Sequence, residues 1–216
     1  MENQNPQELP KEPVQLFSAD FWEQLSFEGK SFCKLDQQGN LILIADQHYP
    51  ERVLSHINEQ SAPTVIQALC DKFKEVQQKT DELKQELEQS AEPIRLQGKL
   101  QRLKAYLLNA NAIGDYPPLF AFVTEKQNLI QEQLKANEQV RKTLVEKAQL
   151  LKDSEEFKNT TEAFRELVEE WKKAPYSEKE ASDKLWEQIE SARNHFYERK
   201  RDFQESLDIE MMQNLD

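Results

Sequence analysis

Glycine is nearly missing from this 216-residue chain, which has four, so tight turns are few and long regular elements fill most of it. Cysteine is as scarce. Cys33 and Cys70 stand alone, with no CxxC, which excludes a disulfide framework or a zinc site and leaves two ordinary reduced thiols. No stretch approaches the roughly 20 apolar residues of a membrane span, and no basic start leads into an apolar run, so the chain reads as cytoplasmic. His48, His56 and His195 are too scattered for a metal site. HExxH, GxSxG and phosphate-cradling glycine loops are missing, and nothing places paired carboxylates in a shielded pocket with a nucleophile or base. The expectation is a protein that is not an enzyme, with no cofactor and no small-molecule substrate. Apolar residues are also sparse, at 38%, which favours a thin architecture over a ball. A formal charge of -12 repels polyanions at long range, so sequence-independent binding to a nucleic-acid backbone is not the default.

What is plentiful is Gln, Glu, Lys, Leu and Ala, the composition of long solvated helices with narrow apolar seams. The fold class this predicts is all-α: an elongated antiparallel helical bundle or coiled coil with a small N-terminal β-hairpin. Residues 1–18 combine three prolines with Gln, Glu and Asn and have no periodic apolar face, which predicts a disordered tail. Phe21, Trp22, Leu25 and Phe27 follow, as one or two helical turns covering something downstream or as a docking peptide. Within residues 19–58, the apolar runs 31–35 and 41–45 flank a turn containing Gly39 and Asn40, residues that accept positive φ. A lone hairpin is marginal in water, and residues 52–57 are the candidate third strand.

From Ser61 the period changes. Ile66, Leu69, Phe73, Val76, Thr80, Leu83 and Leu87 are spaced alternately three and four apart, an a/d seam. With Ser61 as cap, Pro63 in the first turn and Ser90 and Pro93 at the stop, this predicts a helix of about 28 residues, roughly 40 Å long. A second helix carries Leu96, Leu100, Leu103 and Leu107, and Gly114 suits the left-handed position after a helix end. Pro117 and Pro118 open a third, along which lie Leu119, Val123, Ile130, Leu134, Leu144, Ala148 and Leu151. Its middle, residues 131–142, is poorly apolar and is expected to project or bend. These helices make residues 59–152 one antiparallel coiled coil.

Residues 153–208 read as a two-helix repeat, followed by a frayed tail over 209–216. Phe157, Thr161, Phe164, Leu167 or Val168, and Trp171 line one helix, and Leu185, Ile189, Ala192, Phe196 and Phe203 the other. Ser177 and Glu180 have capping-box spacing. Leu167, Trp171, Lys172, Pro175, Asp183, Leu185, Trp186, Ala192, Phe196, Tyr197, Arg199 and Lys200 together resemble the repeat of the bacterial domain of unknown function 349, a helical hairpin. The sequence around Asn111–Leu119 is similar to the helical region that precedes such repeats. This chain differs in having one repeat and in reading 173–179 where the family has a glycine-containing turn. The resemblance implies a helical hairpin and no assigned chemistry.

Trp171, Phe164, Leu185 and Phe196 are the expected core anchors, with Trp171 and Trp186 meeting across the hairpin. Trp186 next to the seam is also a candidate binding anchor. Arg193, Arg199 and Lys200, with Arg201 and His195, concentrate positive charge near the end of an acidic chain. Helix-end stabilisation and pairing with Glu198 and Asp202 account for it structurally. Arg193, Arg199 and Lys200 with Tyr197 also form a set that grips phosphates and stacks a base on RNA. Two functions follow: a non-catalytic adaptor or assembly factor that binds a protein partner or itself through helices, or an RNA- or ribosome-associated factor using the basic helix.

Overall fold

A computed structural model describes Phe17 and residues 20–214. The tail expected over 1–18 lies outside these apart from Phe17. The described chain is mostly helical, with one small antiparallel sheet near its amino end. In order, its elements are α1 (Phe21–Gln24), β1 (Cys33–Leu35), β2 (Asn40–Leu43), β3 (Arg52–His56), α2 (Ala62–Gln89), α3 (Gln97–Asn109), α4 (Pro117–Leu151), α5 (Phe157–Lys173) and α6 (Lys179–Gln213). It divides into two compact units, the first reaching Gln127 and the second starting at Asn128. The break falls inside α4 rather than at 152, because Leu144, Val145 and Ala148 are buried in the same core as α5 and α6.

In the first unit the hairpin is a sheet of order β1-β2-β3, so the third strand forms as expected. Leu41, Ile42 and Leu43 are buried in succession, and the register slips between Leu41 and Ile42. The Asp36 carboxylate builds the β1–β2 turn by accepting the Gln38 amide at 2.9 Å, the Asn40 amide at 2.8 Å and Asn40 Nδ2 at 2.8 Å. The Asn40 side chain in particular holds the Asp36 carboxyl below its usual pKa. Gly39 takes φ 87° as the turn requires, and Asn40 sits in the strand.

All seven seam residues of α2 are buried, and Leu100, Leu103 and Leu107 are buried along α3. Thr80, the polar seam residue, donates its hydroxyl to the Val76 carbonyl of its own helix at 3.0 Å. Ser61 does not cap α2 with its side chain. Its backbone is already helical, at φ −85° and ψ −22°, and its hydroxyl instead accepts the Asn58 amide, while Asn58 Oδ1 accepts the amides of Gln60 and Ser61. Gly114 is not left-handed either. Gly29 and Gly39 are the described residues with positive φ, and Gly114 is needed because a Cβ there would overlap the Phe73 ring.

That ring belongs to an aromatic cluster with Tyr49, Tyr116 and Phe120. Burial pushes the Tyr116 hydroxyl up to about 12, and it donates to the Ala110 carbonyl at 2.9 Å. Arg52 reaches from β3 to the end of α3, donating to the carbonyls of Leu108 and Ala110 while its guanidinium lies over Tyr49 and Tyr116.

Candidate binding surface

In the second unit α5 and α6 pair as their apolar faces imply, but the core takes three helices. Leu144, Val145 and Ala148 of α4 close it together with Phe164 and Leu167 of α5 and Leu185, Ile189, Ala192 and Phe196 of α6. Phe164 and Phe196 are 5.4 Å apart, and Phe164, Leu185 and Phe196 are buried anchors. On α5 it is Thr160 rather than Thr161 that is buried, its hydroxyl donating to Ser154 Oγ at 2.8 Å. Phe203 leaves the core, 48% exposed, although its ring still meets Phe157 at 5.0 Å. Phe157 is where α5 begins, so a 35-residue helix outruns its 17-residue neighbour at that point.

Trp171 and Trp186 meet at 5.4 Å, both half-buried on the edge of the core. Their partner from α4 is Arg141, whose guanidinium stands 4.4 Å from the Trp171 ring and donates to the Pro175 carbonyl at 3.2 Å. Desolvation lowers the Arg141 pKa from its ordinary value. One turn earlier, Asn137, 4% exposed, donates Nδ2 to the Tyr176 carbonyl at 2.6 Å and accepts Gln133 Nε2 at 2.9 Å. The polar stretch 131–142 therefore does not simply project. It fastens the α5–α6 turn, whose carbonyls have no strand or helix to satisfy them.

The capping box at that turn does not form. Glu178 is the residue before the first helical turn, Ser177 lies one position too early, and its hydroxyl is buried without a hydrogen bond. Glu180 pairs instead with Lys184 at 2.7 Å.

The basic residues divide by role. Arg199 Nη1 lies 3.4 Å from the carbonyls of Lys152 and Ser154, just past the end of α4, and Lys200 donates to Thr161 Oγ1 at 3.0 Å. The helix end that Arg199 serves is that of α4, whereas Lys200 reaches the first turns of α5, and α6 itself continues to Gln213 through the segment expected to fray. His195 meets Asp153 at 2.9 Å. Arg193 is half-exposed, and Tyr197 is 40% exposed with its edge on Phe196. Arg201 faces Asp202 and Glu205 only at 3.8 and 3.9 Å.

Beyond Phe196 the character of α6 changes. Phe203, Ile209, Met211 and Met212 are exposed, and every described residue from Arg201 onward is exposed except half-buried Leu207. An open groove of about 400 Å³, lined in part by Phe157, Thr161, Lys200 and Phe203, adjoins this stretch. No described helix is long and apolar enough to cross a membrane.

Residues 119–180 match the model of the Domain of Unknown Function (DUF349) family. This segment of the chain is similar to DUF349 domains. The DUF349 segment takes in most of α4, all of α5 and the first residues of α6, so it contains both Asn137 and Arg141 and the turn they hold. Leu167, Trp171, Lys172 and Pro175 lie inside it, and the other residues that carry the resemblance, from Asp183 to Lys200, follow it. No curated protein and no solved structure matches the chain.

Proposed function

We propose that this protein is a non-catalytic binding module, an adaptor or assembly factor of the cytoplasm, whose last helix presents the surface that another macromolecule covers. The observation that carries this is the cluster of exposed large apolar residues on α6 past its core, Phe203, Ile209, Met211 and Met212, which fall on more than one side of the helix. Isolated helical segments of this length are marginal in water and owe most of their stability to packing, so a helix end with several large apolar side chains left in solvent calls for a partner. Methionine adapts its shape to different partner surfaces, which suits such a role.

An RNA- or ribosome-associated role is the second reading, and Arg193, Tyr197 and Arg201 at the surface favour it. Arg199 and Lys200 contribute less to it, because their donors already serve oxygens of the α4–α5 connection and of α5. Capture of tagged protein from its native cytoplasm, with and without ribonuclease, separates the two. The adaptor reading expects a small set of proteins that survives nuclease. Retention of RNA and ribosomal proteins that vanishes with nuclease would replace it with the second reading.

A further inference from the structure

The open groove beside Phe203 combines aromatic rings with positive charge. It runs between the first two turns of α5 and residues 200–204 of α6, at the place where α6 outruns its neighbour. Its apolar part is the Phe157–Phe203 pair, with ring centroids 5.0 Å apart; Phe157 is half-buried against Phe196, and Phe203 is exposed. Beside the rings are two ammonium groups. Lys200 donates to Thr161 Oγ1 at 3.0 Å, and that hydroxyl in turn donates to the Phe157 carbonyl at 2.6 Å, so Lys200 is held against α5 with donors to spare. Lys158 is exposed, and among the described residues neither lysine pairs with an acid. The carboxylate that lines the groove, Glu162, is already paired with Arg165 at 3.0 Å. In a chain of formal charge -12 the groove is therefore a locally electropositive spot with an aromatic lining.

Resting on the reading of α6 as a binding surface, we infer that this groove takes an acidic peptide segment of a partner protein. One large apolar side chain, best an aromatic one, seats against Phe157 and Phe203, and carboxylates a helical turn to either side of it reach Lys158 and Lys200. A volume of about 400 Å³ accommodates such an anchor with its flanking backbone. Ring against ring adds to the area buried, whereas ion pairs at an exposed rim contribute little by themselves, so the rings hold the segment and the lysines select its sign. A polynucleotide also offers negative charge and aromatic bases, but Asp202 and Glu205 stand close to Phe203 on α6 and Glu162 lines the groove, so the phosphates on either side of a bound one meet like charge. A peptide is free to place neutral residues there.

Fluorescence anisotropy of a capped, labelled helical peptide with a central phenylalanine and a glutamate one turn to either side, titrated with the full chain, tests this. Saturable binding is expected that weakens in high salt, several-fold in Lys158→Glu and about tenfold in Phe203→Ser. Lys158 is exposed and has no acid partner, so its variant is expected to keep the wild-type melting temperature. A peptide with lysines in place of both glutamates is expected not to bind the wild type and to bind the Lys158→Glu/Lys200→Glu variant, an exchange that a merely structural effect of the substitutions does not produce. Absence of binding by the acidic peptide, or binding indifferent to Lys158→Glu and Phe203→Ser, overturns the inference. Displacement of the peptide by a single-stranded RNA oligonucleotide at lower concentration than by unlabelled peptide also overturns it and assigns the groove to nucleic acid. Capture from a lysate separates this failure from that of the adaptor reading. Nuclease-resistant proteins retained equally by the wild type and by Lys158→Glu/Phe203→Ser leave the adaptor reading standing without the groove, and a wild type that retains no protein removes both.

Discussion

Asn137 offers the sharpest test of how the DUF349 segment holds together. Its amide is buried and donates to the Tyr176 carbonyl at 2.6 Å, fixing the α5–α6 turn from α4. Replacing it with alanine removes the donor and leaves that carbonyl without a protein partner, at a cost of about 1–3 kcal/mol. Loss of the Gln133 contact adds little, because Gln133 is exposed and water replaces its partner. Asn137→Asp has nearly the same shape but, when ionised, points a negative charge at a carbonyl oxygen, so at neutral pH it is expected to cost more than alanine. The pH dependence has a definite sign. Burial raises the folded pKa of the new carboxyl above its unfolded value, so the aspartate variant regains stability as pH falls through that folded pKa and the protonated acid can donate to Tyr176. Urea unfolding followed by tryptophan fluorescence, in a Trp22→Phe background so that Trp171 and Trp186 report, measures the midpoints. An alanine variant within about 0.5 kcal/mol of the parent, or an aspartate variant insensitive to acid, would refute the clamp.

Gly114→Ala forces a methyl into the Phe73 ring and is expected to destabilise by about 1–3 kcal/mol or more, whereas Gly98→Ala, with open space around it on α3, is expected to stabilise by up to about 1 kcal/mol; paired thermal melts check both. Truncating Phe164 to alanine is expected to cost about 3–5 kcal/mol and Trp171 to alanine, which is half-buried, about 1.5–3 kcal/mol, with equal shifts for the two counting against the three-helix core. The protection of the Asn40 amide, its exchange rate relative to the intrinsic rate at the same pH, is expected to hold through the usual carboxylate range and to fall only as pH drops through the lowered Asp36 pKa; loss of protection already at the usual value contradicts the turn. Burial, with smaller effects from Cys70 and Lys30, leaves the Cys33 thiol at about 12, so alkylation of native protein at neutral pH is expected to be slow and to become fast on unfolding.

What the sequence shows well is whatever repeats. The α2 seam from Ile66 to Leu87 is periodic over several turns, and every member is buried. Leu185, Ile189, Ala192 and Phe196 are legible on α6 for the same reason. Asn137 and Arg141 are not, because a polar residue in a polar stretch carries no periodic mark, and its partner carbonyls arrive from a turn more than 30 residues away. Phe203 continues the α6 spacing, yet its exposure depends on where α5 begins, a length that no pattern within α6 contains. Local chemistry misleads by single positions: Ser177 has capping-box spacing but precedes the helix by one residue too many, and Gly114 follows a helix end but serves a neighbouring ring. The candidate site shares this limit. Arg199 and Lys200 advertise charge in the sequence, and only the fold assigns their hydrogen bonds to the α4–α5 connection and to α5.

The most direct test of the central claim is a side-by-side capture from a nuclease-treated native lysate with wild-type protein and the Ile209→Glu/Met212→Glu variant. The account predicts that the wild type retains a protein partner and that the variant, equally folded, loses it. Identical retention by both proteins would contradict the assignment of binding to the uncovered end of α6.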